Sequence, residues 1–133
     1  MNSEPPLAFL YDRHASPTVA ILLLRLQSCR MRAEELGWQV AGEFVDEGDD
    51  ALEDSHRPKF DTMLTAMRGQ ATAGRQVVCL VSDWYRLSRN DKTEAAFRAR
   101  IATAGGYTAT AAGEDDLPGS GRGRVNAVGR AAR

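Results

Sequence analysis

A serine and four arginines stand on three short polar segments of this chain. The first segment reads Tyr11-Asp-Arg-His-Ala-Ser16, the second ends His56-Arg57-Pro58, and the third reads Asp83-Trp-Tyr-Arg-Leu-Ser-Arg89. If Arg13, Arg57, Arg86 and Arg89 converge on the hydroxyl of Ser16, the chemistry they suit is phosphoryl transfer. The planar guanidinium fork makes bidentate, permanently charged hydrogen bonds to phosphate. Such a reaction asks the protein mainly for positioning and for charge at the equatorial oxygens. Nearby arginines also favour the ionised form of a serine nucleophile. His14 and His56 are too few for a metal site, and the acids of residues 46–54 miss the spacing of a calcium loop. The expected site therefore uses neither metal nor cofactor.

Each residue also has a plainer reading. Ser16 precedes Pro17 and would serve as a turn residue or helix N-cap. Arg57-Pro58 would simply start a helix. Arg86 and Arg89 could be surface residues, although positive charge is mildly unfavourable at the start of a helix. Trp84 and Tyr85 would pack their loop onto the domain rather than stack on bases. The acids after Asp46 would form a solvated loop.

The elements that must position these segments follow from apolar spacing. Residues 7–11 form a short apolar run after Pro5-Pro6 and predict a buried strand. Residues 19–36 predict a helix in which Leu22, Leu26, Cys29 and Ala33 keep helical spacing and Gly37 is the stop. Ile21, Leu23 and Leu24 widen its apolar surface enough for a second partner. Residues 38–45 alternate as a second strand. Pro58 opens a helix with Phe60, Met63, Leu64 and Met67 along one stripe. Residues 77–81 are continuously apolar, the pattern of a central parallel strand. A helix follows over residues 91–104, stopped by Gly105-Gly106, and residues 107–111 predict a fourth strand. From Gly113 the composition is that of a disordered segment. The order predicts an α/β, Rossmann-like parallel sheet of about four strands with helices on both faces. In such sheets sites lie at the carboxyl ends of strands, where all three polar segments fall.

Composition bounds the rest. A chain of 133 residues with 43% apolar and 26% charged residues supports one globular domain. That domain is expected over residues 7–117, with a Gly/Arg-rich, disordered tail over 118–133. The net charge is −1, so there is no global basic signature. Arg122, Arg124, Arg130 and Arg133 lie in the tail, which leaves 13 basic residues against 18 acids in residues 1–118. Contact with a polyanion must then come from a local cluster. Cys29 and Cys79 sit in apolar periodic segments, as small hydrophobes and not as a disulfide framework or zinc site. No segment has the form of a signal peptide or membrane span, and a cytoplasmic location is expected.

The ordered segments resemble the catalytic domain of serine site-specific recombinases, the resolvase/invertase family. That family carries a Tyr-x-Arg-x-Ser strand end, an Arg-Pro after a Val-Asp-Glu-Gly loop, and an Asp-Arg-Leu-Ser-Arg segment. Here these appear as Tyr11-Asp-Arg13, Val45-Asp-Glu-Gly48 followed by Arg57-Pro58, and Tyr85-Arg-Leu-Ser-Arg89, with Gly37-Trp38 at the helix-to-strand joint. The resemblance covers residues 7–117. It implies a resolvase-like fold and the cleavage and rejoining of DNA through a 5′-phosphoserine, without nucleotide or metal, as in recombination and integration by mobile elements. Ser16 would be the nucleophile. Arg13, Arg86 and Arg89 would bind and polarise the scissile phosphate. Arg57 and Tyr11 would complete the phosphate contacts. DNA is the implied partner, together with self-association or pairing with other recombinase subunits.

The chain departs from the pattern in several places. Counted forward from Tyr11, the family's serine falls on Ala15; counted back from Gly37, it falls on Ser16. Tyr85 stands where an acid normally precedes the first arginine of the third motif, with Asp83 two positions earlier. Arg25 stands where the family usually has a glutamine. Pro118-Gly-Ser-Gly occupies the start of the family's long dimerisation helix, and no DNA-reading motif follows. Two alternatives therefore accompany the recombinase reading: a non-catalytic recombinase-like interaction module, and a different doubly wound phosphate or small-ligand binder.

Overall fold

The computed structural model describes residues 4–48, 51 and 56–117. The tail expected to be disordered, 118–133, lies outside the described residues, as do residues 49–50 and 52–55 of the acidic loop.

One parallel sheet organises the chain. Its strands are β1 (Leu7–His14), β2 (Gln39–Glu47), β3 (Val77–Val81) and β4 (Tyr107–Thr110), in the spatial order β2-β1-β3-β4. Parallel neighbours need crossover connections. Here these are α1 (Ala20–Leu36), α2 (Pro58–Thr72) and α3 (Asp91–Thr103). The α/β class, the strand number and the helices on both faces are as the sequence predicts.

The alternation of β1 assigns the layers. Leu7, Phe9 and Tyr11 face α2 and α3, where they pack with Phe60, Met63, Met67, Phe97 and Ile101. Ala8 and Leu10 face the other way, against Cys29 and Ala33 of α1. β3 is buried along its whole length because both layers cover it. On α1 only Leu22, Leu26, Cys29 and Ala33 are buried. Val19, Ile21, Leu23, Leu24 and Met31 of the same region stay about half exposed, at 49–58%.

Local chemistry sets the boundaries. Gly37 ends α1 at φ 74°, with its amide bonded back into the last turn. α2 starts at Pro58, and its free amides at Lys59 and Phe60 donate to Asp46 at 2.8 and 3.1 Å. The side chain of Asn90 caps α3 by accepting from the Thr93 amide at 3.0 Å. After α3 the chain passes so close to α2 that a Cβ on Gly106 would lie 2.8 Å from both Met67 Cε and the Val77 carbonyl.

Three sequence expectations are corrected. β1 continues through Asp12, Arg13 and His14, because the polar side chains of Asp12 and His14 are buried at the sheet end rather than solvated in a loop. Asp46, expected in a solvated acidic loop, is a buried residue near the end of β2. Residues 113–117, expected to be disordered, fold back along β4. There Thr110 N donates to Glu114 O at 2.7 Å and Ala109 bridges Asp115 in antiparallel fashion. On the opposite edge, β2 carries a bulge: Ala8 pairs with Val40 and Phe9 with Gly42, leaving Ala41 unmatched.

Candidate phosphate site at the ends of β1 and β3

β1 ends in Asp12-Arg13-His14, and β3 is followed by a single 3-10 turn, Trp84–Arg86. Since β1 and β3 are parallel neighbours, their carboxyl ends lie side by side. The turn after β3 is fixed by Asp83, whose side chain accepts from the Tyr85 amide at 3.0 Å. This geometry brings Arg13, Arg86 and Arg89 to the wall of one pocket of about 270 Å³, completed by Ala15 and Ala51.

The three arginines are held differently. Arg13 donates Nε and Nη2 to the Tyr85 carbonyl at 3.0 and 2.8 Å, and Nη1 to the Ala51 carbonyl at 3.2 Å. It ties the three strand-end segments together. Arg86 donates Nη1 to Asp12 Oδ1 and to the Arg13 carbonyl, both at 3.2 Å, and Nε to Asp83 Oδ1 at 3.3 Å. Arg89 is exposed at the pocket rim. An opening lined by three guanidinium groups and small apolar residues suits a phosphate or phosphodiester oxygen cluster.

Ser16 is placed less directly. It is exposed, and its Oγ accepts a hydrogen bond from the Thr18 amide at 3.1 Å. Ala15, not Ser16, lines the pocket. The two registers counted from sequence thus correspond to two neighbouring positions, with the hydroxyl on the residue beside the pocket.

Tyr11 and Arg57 sit behind this pocket rather than in it. Tyr11 is fully buried, and its hydroxyl donates to Asp46 Oδ2 at 2.7 Å. Burial, reinforced by the Asp46 carboxylate, pushes the phenol well above its ordinary range, so it stays protonated. Arg57 is 2% exposed, with its guanidinium 4.3 Å from the centroid of the Phe97 ring. Both residues brace the start of α2.

One residue of the arginine cluster escaped the sequence reading. Asp12 is 1% exposed and lies between Arg25 and Arg86. Asp83, noted in the sequence two positions before Tyr85, reaches Arg86 Nε at 3.3 Å. For Asp12 a signal existed, since a carboxylate inside an apolar strand end is anomalous unless paired. Among the described residues no group of three or more His, Cys, Asp or Glu is placed to hold a metal ion. Nor is any helix among them long and apolar enough to cross a membrane.

Known structures share this architecture. The N-terminal catalytic domain of TP901-1 integrase matches with a TM-score of 0.64 at 17% identity, over 82% of this chain and 80% of that one. The C-terminal catalytic domain of ISC1926 TnpA, an IS607-like serine recombinase, matches with a TM-score of 0.64 at 17% identity, over 78% and 68% of the two chains. A resolvase family site-specific recombinase from Streptococcus pneumoniae matches with a TM-score of 0.62 at 20% identity, over 86% and 78%. At these identities the likeness is one of fold. No curated protein sequence matches the chain significantly. The family model for the resolvase N-terminal domain matches residues 8–124, and with nearly the whole chain covered, the protein belongs to the resolvase family.

Proposed function

We propose that this domain cleaves and rejoins DNA strands in the cytoplasm through a 5′-phosphoserine on Ser16. The observation that carries the reading is the pocket walled by Arg13, Arg86 and Arg89 with Ser16 next to its Ala15 wall. Ser16 Oγ would attack the scissile phosphorus, forming the serine ester as the bond to the 3′-oxygen breaks. The proton lost from the serine is balanced by one gained at that 3′-oxygen. The arginines would take the charge that builds on the other phosphate oxygens. The ester keeps the bond energy, so rejoining needs no nucleotide.

Attack from Ser16 requires its hydroxyl to leave the Thr18 amide and turn toward the pocket. That single bond is worth about 1 kcal/mol at an exposed site, a small barrier. Duplexes selected for binding from a random pool supply the substrate for the test. A detergent-resistant protein–DNA adduct is expected, and Ser16→Ala should abolish it. An adduct that survives in Ser16→Ala places the nucleophile elsewhere.

A second reading, a non-catalytic partner of recombinase subunits, is favoured by the place of Ser16 outside the pocket lining and by the half-exposed apolar residues of α1. It expects bound DNA without adduct and association that Leu24→Glu weakens in light scattering.

A further inference from the structure

Behind the pocket arginines lies a buried carboxylate, Asp12, that accepts four hydrogen bonds. Its Oδ2 accepts from Arg25 Nε at 2.8 Å. Its Oδ1 accepts from Arg25 Nη2 at 3.1 Å, Arg86 Nη1 at 3.2 Å and the Arg13 amide at 2.7 Å. A carboxylate offers about four lone-pair sites, so Asp12 is close to saturated. A buried charge is tolerated only when paired and hydrogen-bonded in this way.

The arrangement has a direction. Arg25 approaches Asp12 with two nitrogens and neutralises it, while Arg86 touches it with one. Asp83 takes Nε of Arg86. Two edges of the Arg86 guanidinium are thereby fixed by carboxylates on different segments. Its remaining nitrogen, Nη2, makes no hydrogen bond among the described residues, and Arg86 lines the pocket. An arginine pinned on one side and open on the other is preorganised for a phosphate oxygen.

We propose that Asp12, with Arg25 as its counter-ion and Asp83 as a second clamp, is the positioning residue that aims Arg86 into the pocket. The proposal rests on the phosphate-site reading above. It makes a prediction opposite in sign to simple electrostatics. Removing a negative charge close to a phosphate pocket should tighten anion binding. If Asp12 aims Arg86, Asp12→Asn should loosen it, because the guanidinium gains freedom that binding must remove.

The test uses inorganic phosphate as the probe and arginine side-chain 15N NMR on the full chain. In the wild type, phosphate is expected to shift the Nε signals of Arg86 and Arg89. In Asp12→Asn, the Arg86 signal should broaden and phosphate affinity should fall about tenfold, while the buried Arg57 signal stays in place and reports an intact fold. Affinity equal to or tighter than wild type in that folded variant overturns the proposal. If Asp12→Asn does not fold, Asp83→Asn carries the same sign test, since the half-exposed side chain keeps an amide oxygen that can accept from the Tyr85 amide and loses only its charge. Weaker binding there supports the clamp, and equal or tighter binding overturns it. A wild-type protein whose Arg86 and Arg89 signals ignore phosphate fails differently: the phosphate-site reading falls, and the aiming role with it.

Discussion

The hydroxyl of Tyr11 on β1 donates to Asp46 near the end of β2, and the same carboxylate receives the first amides of α2. One buried acid thus joins two strands and a helix behind the pocket. Tyr11→Phe removes one of these bonds and leaves the cap, so it should cost about 1–2 kcal/mol in urea unfolding at neutral pH. Asp46→Ala removes the cap and strands the Tyr11 hydroxyl, and about 3 kcal/mol or more is expected. Equal effects of the two substitutions would mean that Asp46 acts only through Tyr11.

Alkaline pH should unfold the protein through its buried weak acids. Burial pushes the Cys29 thiol up from 9.0 to about 12, and it raises Cys79 and Tyr11 in the same direction. Below pH 9 the thiol of Cys29 is protonated in both folded and unfolded chains. Above it the unfolded chain releases the proton while the fold retains it, so stability falls as pH rises toward about 12. Cys29→Ala should flatten the stability profile over that window, measured by chemical denaturation at fixed pH steps. An unchanged slope would show that the thiol ionises as easily in the fold as outside it.

The pocket arginines should separate stability from chemistry. Arg89 is exposed at the rim, so Arg89→Ala should leave the melting temperature within about 1 °C while lowering adduct formation by about 10²-fold or more. Arg86→Ala should lower adduct formation similarly and also cost about 1–3 kcal/mol, because Asp12 loses a partner inside the protein. A harmless Arg86→Ala in thermal melts would show that Arg25 alone satisfies Asp12.

Gly106 should be intolerant of any side chain. A Cβ there meets backbone as well as the Met67 tip at 2.8 Å, and the Val77 carbonyl cannot move without disturbing β3. Gly106→Ala should cost about 1–3 kcal/mol by overpacking. A melting temperature equal to wild type would mean that α3 and β4 slide to make room.

The fold was legible because its signals are periodic. The continuous run at residues 77–81, the stripe at Phe60, Met63, Leu64 and Met67, and the glycine stops each point to one local structure, and all were consistent with a parallel sheet. Arg13, Arg86 and Arg89 were legible as a group because their segments fall at strand ends. What escaped was pairing at long range. Nothing local to Asp12 shows that Arg25 and Arg86 arrive from 13 and 74 residues away. Nor does the spacing of the acids distinguish Asp46, buried as a helix cap, from Glu47, which is exposed. Arg57 and Tyr11 carry the family pattern, yet both are buried and neither lines the pocket, which no local signal foretells.

The two ends of the sheet have a consequence for how copies of this protein meet. At β2 the unmatched Ala41 interrupts the regular backbone, and at β4 the returning residues 113–116 occupy the outer amides. The returning segment covers the β4 border and the bulge distorts the β2 border, two devices that discourage pairing with a strand from another molecule, the route by which open sheets polymerise. Among the described residues Ile21, Leu24 and Met31 are half exposed on α1, so burying this helix face in a discrete assembly would remove more apolar surface from water than pairing at either sheet edge.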